Sequence, residues 1–91
     1  MKKEEIYDLA IEKNGADTQK IVCIEEMSEL TKELTKDIRG RGNRKCISEE
    51  LADVQIMIEQ MIRFYNCQDL IKGIKDKKLI RLENRLTEVE K

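Results

Sequence analysis

Residues 47–65 read Ile-Ser-Glu-Glu-Leu-Ala-Asp-Val-Gln-Ile-Met-Ile-Glu-Gln-Met-Ile-Arg-Phe-Tyr, and the fold class turns on their spacing. Ile47, Leu51, Val54, Ile58, Met61 and Tyr65 recur at intervals of three and four, the period of one face of an α-helix. Alternation of period two, the mark of a half-buried strand, occurs at no useful length here or elsewhere in the chain. The stretch predicts a long helix that begins between Asn43 and Ser48, either of which can cap it, and stops at Asn66.

The neighbouring segments follow the same pattern. Upstream, Arg39-Gly40-Arg41-Gly42-Asn43 punctuates the chain, two glycines so close together marking a loop. A second long helix precedes it, capped by Asp17 or Thr18 and carrying Cys23, Met27, Leu30, Leu34 and Ile38 as its stripe. A first helix from about Lys2 to Lys13, with Ile6, Leu9 and Ala10 as its stripe, stops at Asn14-Gly15. Downstream, Asp69 can cap a fourth helix that runs towards Glu90, with Leu79, Leu82, Leu86 and Val89 in heptad order. Gly73 weakens its first turns by about 1 kcal/mol relative to alanine. The absence of proline agrees with a mostly helical chain. The expectation is an all-α single domain over residues 1–91, a helical bundle of about four helices with two long central ones. A chain of 91 residues hides only roughly two-thirds of its unfolded surface, so assembly with other subunits is expected too.

Composition removes several chemistries. The chain has 18 basic and 19 acidic side chains, a formal net charge of -1 and no histidine. Without histidine there is no Ser-His or Cys-His nucleophile pair and no His-ligated zinc. The aromatic residues are Tyr7, Phe64 and Tyr65, too few for the stacking platform of a single-strand binder. A near-zero net charge argues against a nucleic-acid polymer as partner. Cys23, Cys46 and Cys67 are odd in number and form no C-x-x-C pair, so they read as reduced, semi-buried thiols in a cytoplasmic protein. No segment approaches the roughly 20 apolar residues of a membrane span, and no apolar stretch of signal-peptide length follows the N-terminus.

What remains is carboxylate chemistry, and the two long helices carry it. The earlier one contains Glu25-Glu26-Met27-Ser28-Glu29 and the later one Glu49-Glu50-Leu51-Ala52-Asp53. Glu26 and Glu29 are three apart and share a helix face, as do Glu50 and Asp53. At about 100° per residue, Val54 and Met57 lie within about 40° of Glu50 on either side, and Asp53 about 60° from it. Glu26 lies between Val22 and Leu30, about 40° from each. A carboxylate on an apolar arc is costly unless its charge is compensated. Protonation is one remedy. Basic partners are another, but no lysine or arginine stands between Cys46 and Met61. The third is a hard divalent cation such as magnesium, which takes carboxylate oxygens. A solvated face rich in glutamate is the plain alternative, especially for Glu25 and Glu49, since glutamate occurs 13 times in the chain.

The order Glu25-Glu26-x-x-Glu29, then Glu50-x-x-Asp53 after twenty intervening residues, resembles the MazG-like family of all-α nucleoside triphosphate pyrophosphatases. The likeness covers about residues 18–66, including Arg39-Gly40 and Leu51-Ala52-Asp53-Val54; the tail with Lys78-Leu79-x-Arg81-Leu82 looks like that of short phage-type members. The resemblance implies magnesium-dependent cleavage of a nucleoside triphosphate to the monophosphate and pyrophosphate. It implies Glu26, Glu29, Glu50 and Asp53 as metal ligands, with Glu25 beside them orienting the attacking water. It also implies a homo-oligomer, a dimer or tetramer sharing long helices. Lys32, Lys36 and Arg39 are candidates to meet the substrate phosphates, with Lys32 and Lys36 alternatively pairing along the helix with Glu29 and Glu33. Arg41, Arg44 and Lys45 extend the basic loop, while Lys72, Lys75, Lys77, Lys78 and Arg81 read as surface charge. Phe64 and Tyr65 read as core packing, with a stacking face for a base as the alternative. The rival expectation is a non-enzymatic helical oligomerisation or regulatory module whose acidic pairs decorate its surface, a reading the Leu79–Val89 heptad supports.

Overall fold

A computed structural model describes residues 1–88. The expected end of the heptad, Val89, and the expected helix terminus at Glu90 lie outside the described residues. Helix α1 spans Lys3–Asn14, α2 Ala16–Ile38, α3 Arg44–Tyr65 and α4 Gln68–Thr87. All regular structure among the described residues is helical, with α2 and α3 the longest elements. No described helix is long and apolar enough to cross a membrane.

The breaks follow local chemistry, with two changes from expectation. Gly15, at φ +91, ends α1 and opens α2 in a single residue. Its N–H donates to Ile11 O at 2.8 Å and its own carbonyl accepts from Gln19 N at 3.1 Å. So tight a turn puts Asp17 and Thr18 inside α2, and neither caps it. Likewise α4 opens from Cys67, which leaves Asp69 in its first turn. The other two stops are as expected. The Asn43 side chain accepts from Cys46 N at 3.0 Å and caps α3. Asn66 ends α3 in the left-handed region, φ 50 and ψ 47, where asparagine is tolerated. In the loop between α2 and α3, Gly40 has φ +78, and a Cβ at Gly42 would collide with the Asp37 side chain.

Helices α2 and α3 form the principal packed pair, an antiparallel hairpin on which α1 lies. The seam is thin. Tyr7, Cys23, Val54 and Met57 are the buried apolar residues, and no described side chain is fully enclosed. Several residues expected inside face out: Ile6 on α1, Met27, Leu34 and Ile38 on α2, and Leu51, Ile58 and Tyr65 on α3. Phe64, also expected in the core, is exposed and meets Tyr65 edge-on, the ring centroids 5.0 Å apart. Helix α3 carries a broad apolar arc, wider than its partner can cover, and the edge of that arc bearing Val54 and Met57 turns inward. Two glutamines complete the interior. Gln19 Nε2 donates to Gln60 Oε1 at 2.7 Å, and Asn14 Nδ2 donates to Gln19 Oε1 at 3.0 Å. Paired in this way, neither amide leaves its carbonyl unsatisfied.

A charged clamp fastens α1 to α3. Arg63 grips Asp8 with two hydrogen bonds, 2.7 and 2.8 Å. Lys3 Nζ lies 2.7 Å from Glu59, which also accepts from the Tyr7 hydroxyl at 3.3 Å. Helix α4 buries no residue and stands off the rest. The radius of gyration is 16.8 Å, against about 12 Å for a compact domain of this length. The exposed surface is 7773 Å², whereas a compact 10.7 kDa chain exposes about 5,500 Å².

Two stability predictions follow from this packing. Met57, 6% exposed, anchors the seam, and Met57→Ala should lower the unfolding free energy by about 2–4 kcal/mol in urea titrations. The Arg63 hydrogen bonds hold the Asp8 carboxyl below the usual carboxylate range. The resulting stability is therefore whole above about pH 4 and drains as pH falls through the depressed value. Asp8→Asn should lower the melting temperature at pH 7, by an amount that shrinks as the pH is taken below about 4.

Candidate metal centre

The hairpin brings three acids together. Glu26 comes from the middle of α2, and Glu50 and Asp53 come from the first half of α3. One carboxylate oxygen from each lies within 4.8 Å of the others. Glu26 and Glu50 are half-buried and Asp53 is exposed, as their angular placement on the helices predicts. The i, i+3 spacing on α3 keeps Glu50 and Asp53 on one face, and that face looks at α2 where Glu26 stands.

The electrostatics are those of like charges held at close range. Burial pushes the Glu26 carboxyl above its ordinary value, and the neighbouring Asp53, Glu50 and Glu29 push the same way. Glu50 is raised by burial first and then by Asp53, Glu29, Glu33 and Glu49. The Glu50 Oε2 atom is itself buried and has no hydrogen-bond partner among the described residues. A buried carboxylate oxygen left unpaired is unfavourable, and a hard cation would satisfy it. The donor set is all oxygen and anionic, which suits magnesium, calcium or manganese rather than a soft metal. On both counts the residues fit a divalent cation.

The remaining predicted residues sit around this group. Glu29 is exposed and outside the three-residue cluster, although its charge is felt at both Glu26 and Glu50. Glu25 is exposed and also outside it. Lys32 is exposed, Lys36 pairs with Glu33 at 3.5 Å, and Arg39 is the residue that closes α2. None of the three basic side chains pairs with a cluster acid. Glu33, expected only as a helix partner of Lys36, which it is at 3.5 Å, also belongs with the acids. It is half-buried and its charge acts on Glu50. The signal was available: residues 26, 29 and 33 follow the i, i+3, i+7 series of one helix face.

A larger opening lies elsewhere. A cleft of about 980 Å³ separates α1, the end of α3 and α4. Glu59, which lines it, projects from α3 about 180° from Glu50, so cleft and carboxylates occupy opposite faces. Its Lys3, Tyr7, Asp8, Glu59 and Arg63 already satisfy one another. The cleft is roomier, but the unsatisfied chemistry is at the carboxylates.

Comparison with protein-family models, curated proteins and solved structures gives no match for this chain.

The repulsion in the cluster has a measurable consequence. Ionising Glu50 above its raised pKa costs stability, and a neutral amide removes that cost. Glu50→Gln should raise the melting temperature in chelator. In millimolar magnesium or manganese the wild type should gain stability by mass action, and the variant should lose most of that gain. A Glu50→Gln protein that melts as the wild type does in both conditions would count against close repulsion and against cation binding.

Proposed function

We propose that this chain is a magnesium-dependent nucleotide pyrophosphohydrolase that cleaves a (deoxy)nucleoside triphosphate to the monophosphate and pyrophosphate. The observation that carries the reading is the approach of Glu26, Glu50 and Asp53 within 4.8 Å around a buried, unpartnered Glu50 oxygen. The acidic spacing shared with the MazG-like pyrophosphatases supports it, because the acids that spacing singles out as ligands include all three that meet.

Glu26, Glu50 and Asp53 would hold the cation, with Glu29 completing the set from the solvent side. A divalent cation bound there supplies charge neutralisation to the phosphates and acidifies a bound water. Glu25 stays exposed at the rim, where it can orient the attacking water and accept its proton. Lys36 and Arg39 lie about two and three turns past Glu29 and meet the phosphate chain from that end; Lys36 must first release Glu33. Lys32 approaches from the same helix. Positioning and electrostatics dominate such transfers, which suits a site without histidine. The chain acts as a homo-oligomer in the cytoplasm, and the surface left over by each copy supports assembly.

The second reading, a non-enzymatic helical oligomerisation module, is favoured by the exposed Leu79, Leu82 and Leu86 stripe. One assay separates the two. Wild-type protein is incubated with the common nucleoside and deoxynucleoside triphosphates in magnesium, and released pyrophosphate is measured. The hydrolase reading expects release from at least one nucleotide and a loss of at least about a hundredfold in Glu50→Gln, the scale of removing one electrostatic contributor to a transition state. No release from any of them sinks the enzyme; equal activity in Glu50→Gln sinks the site.

A further inference from the structure

Helix α4 is the element the rest of the fold does not use. It buries nothing, while α1, α2 and α3 all pack on one another. Its leucines are exposed: Leu79 at 57%, Leu82 at 43% and Leu86 at 77%. They are three and four residues apart, and a shallow depression of about 430 Å³ runs along them. We infer that α4 is a self-pairing helix: two copies of this chain join through parallel, in-register α4 helices with Leu79, Leu82 and Leu86 along the seam.

The charges give the orientation. With Leu79 and Leu86 at a positions and Leu82 at d, the e positions are Asp76 and Glu83 and the g positions are Lys78 and Arg85. Every described e is acidic and every charged g is basic. In a parallel pair each g faces the e five residues further along the other helix. Lys78 of each copy then meets Glu83 of the other. An antiparallel pair sets g against g and e against e, so base faces base and acid faces acid. Among the described residues, Lys78, Glu83 and Arg85 form no ion pair within their own chain. The preceding heptad places Lys72 at a and Lys75 at d, so the seam begins at Leu79, the residue at which the α1–α3–α4 cleft ends and the leucine depression starts.

The chain exposes roughly 2,000 Å² more than a compact monomer of its mass, and the leucine stripe of α4 is a part of that excess that a second copy would cover. The inference rests on the homo-oligomer part of the proposed function and is independent of the catalytic part. Three leucine layers make a short seam, so the mass should depend on concentration.

Disulfide trapping reads the register. In a chain carrying Cys23→Ala, Cys46→Ser and Cys67→Ser, either Leu82→Cys or Ile80→Cys is added and oxidised in air. Parallel pairing brings position 82 of the two copies face to face and leaves position 80 on the opposite side of the helix. Leu82→Cys should therefore give at least about ten times more covalent dimer than Ile80→Cys. Charge variants give a test that leaves the cysteines in place. Lys78→Glu with Arg85→Glu, and separately Asp76→Lys with Glu83→Lys, should each weaken self-association about tenfold, equivalent to about 1.4 kcal/mol; mixing the two should restore it. Equal cross-linking at both positions, or double variants that associate as the wild type does, overturns α4 pairing. If light scattering still shows a dimer in that case, the oligomer forms through another face and the reading of the fold as oligomeric survives. A monomeric mass for the wild type at about a hundred micromolar overturns both.

Discussion

Three carboxylates from two helices meet within 4.8 Å, and the apolar seam that forces them together is small. Cys23, Val54 and Met57 are its buried members on α2 and α3. The geometry of the hairpin thus works against its own electrostatics: packing draws the helices in, and Glu26, Glu50 and Asp53 resist. Protonation, favoured by the raised Glu26 and Glu50 carboxyls, relieves that cost, and a bound cation would do the same. The clamp of Lys3, Tyr7, Asp8, Glu59 and Arg63 then has a clear structural purpose. It holds α1 against the far side of α3 and adds to a seam that has little apolar area of its own.

Much of this was legible in the sequence, and the parts that were not failed for identifiable reasons. Glycine and asparagine breaks located all four helices, because Gly40 and Asn66 have positive φ that few residues tolerate. The positions of Glu26 and Glu50 within apolar arcs were also visible, since helical angle is a property of numbering alone. The inward face of α3 was not. Leu51, Ile56 and Ile58 are as apolar as Val54 and Met57, and only the partner helix decides between them. Tyr7 and the two glutamines were missed because their burial depends on hydrogen-bond partners more than forty residues away in the chain. Glu33 was legible as a partner of Lys36 but not as a neighbour of Glu50, because it lies one turn beyond the acidic motif and its effect on Glu50 crosses from α2 to α3. The caps at Asp17 and Asp69 failed because a one-residue turn at Gly15 and a cysteine at position 67 each started the helix before the acid was reached.

The same shortage of buried surface connects the site to α4. With no described side chain fully enclosed, large apolar residues on α2, α3 and α4 are left in contact with water. On α2 and α3 these residues flank the carboxylates. On α4 they form a regular stripe with segregated charge on either side. A helix so patterned specifies a neighbour by register as well as by hydrophobicity, which the irregular outer faces of α2 and α3 do not.

The Gln19–Gln60 hydrogen bond has a consequence for tolerance to slippage. Gln19 lies seven residues before Glu26, and Gln60 lies seven after Asp53. In an antiparallel pair these offsets match, so the amide bond and the Glu26–Asp53 approach belong to one alignment, about 10 Å apart along the helices. A slide of α2 past α3 by a single turn would displace Glu26 by about 5.4 Å, more than the whole spread of the carboxylate oxygens. The two amides thus act as a vernier: at one end of the hairpin the Arg39–Asn43 loop limits how far the helices can drift, and at the other a directional bond of 2.7 Å selects the one setting at which the acids coincide.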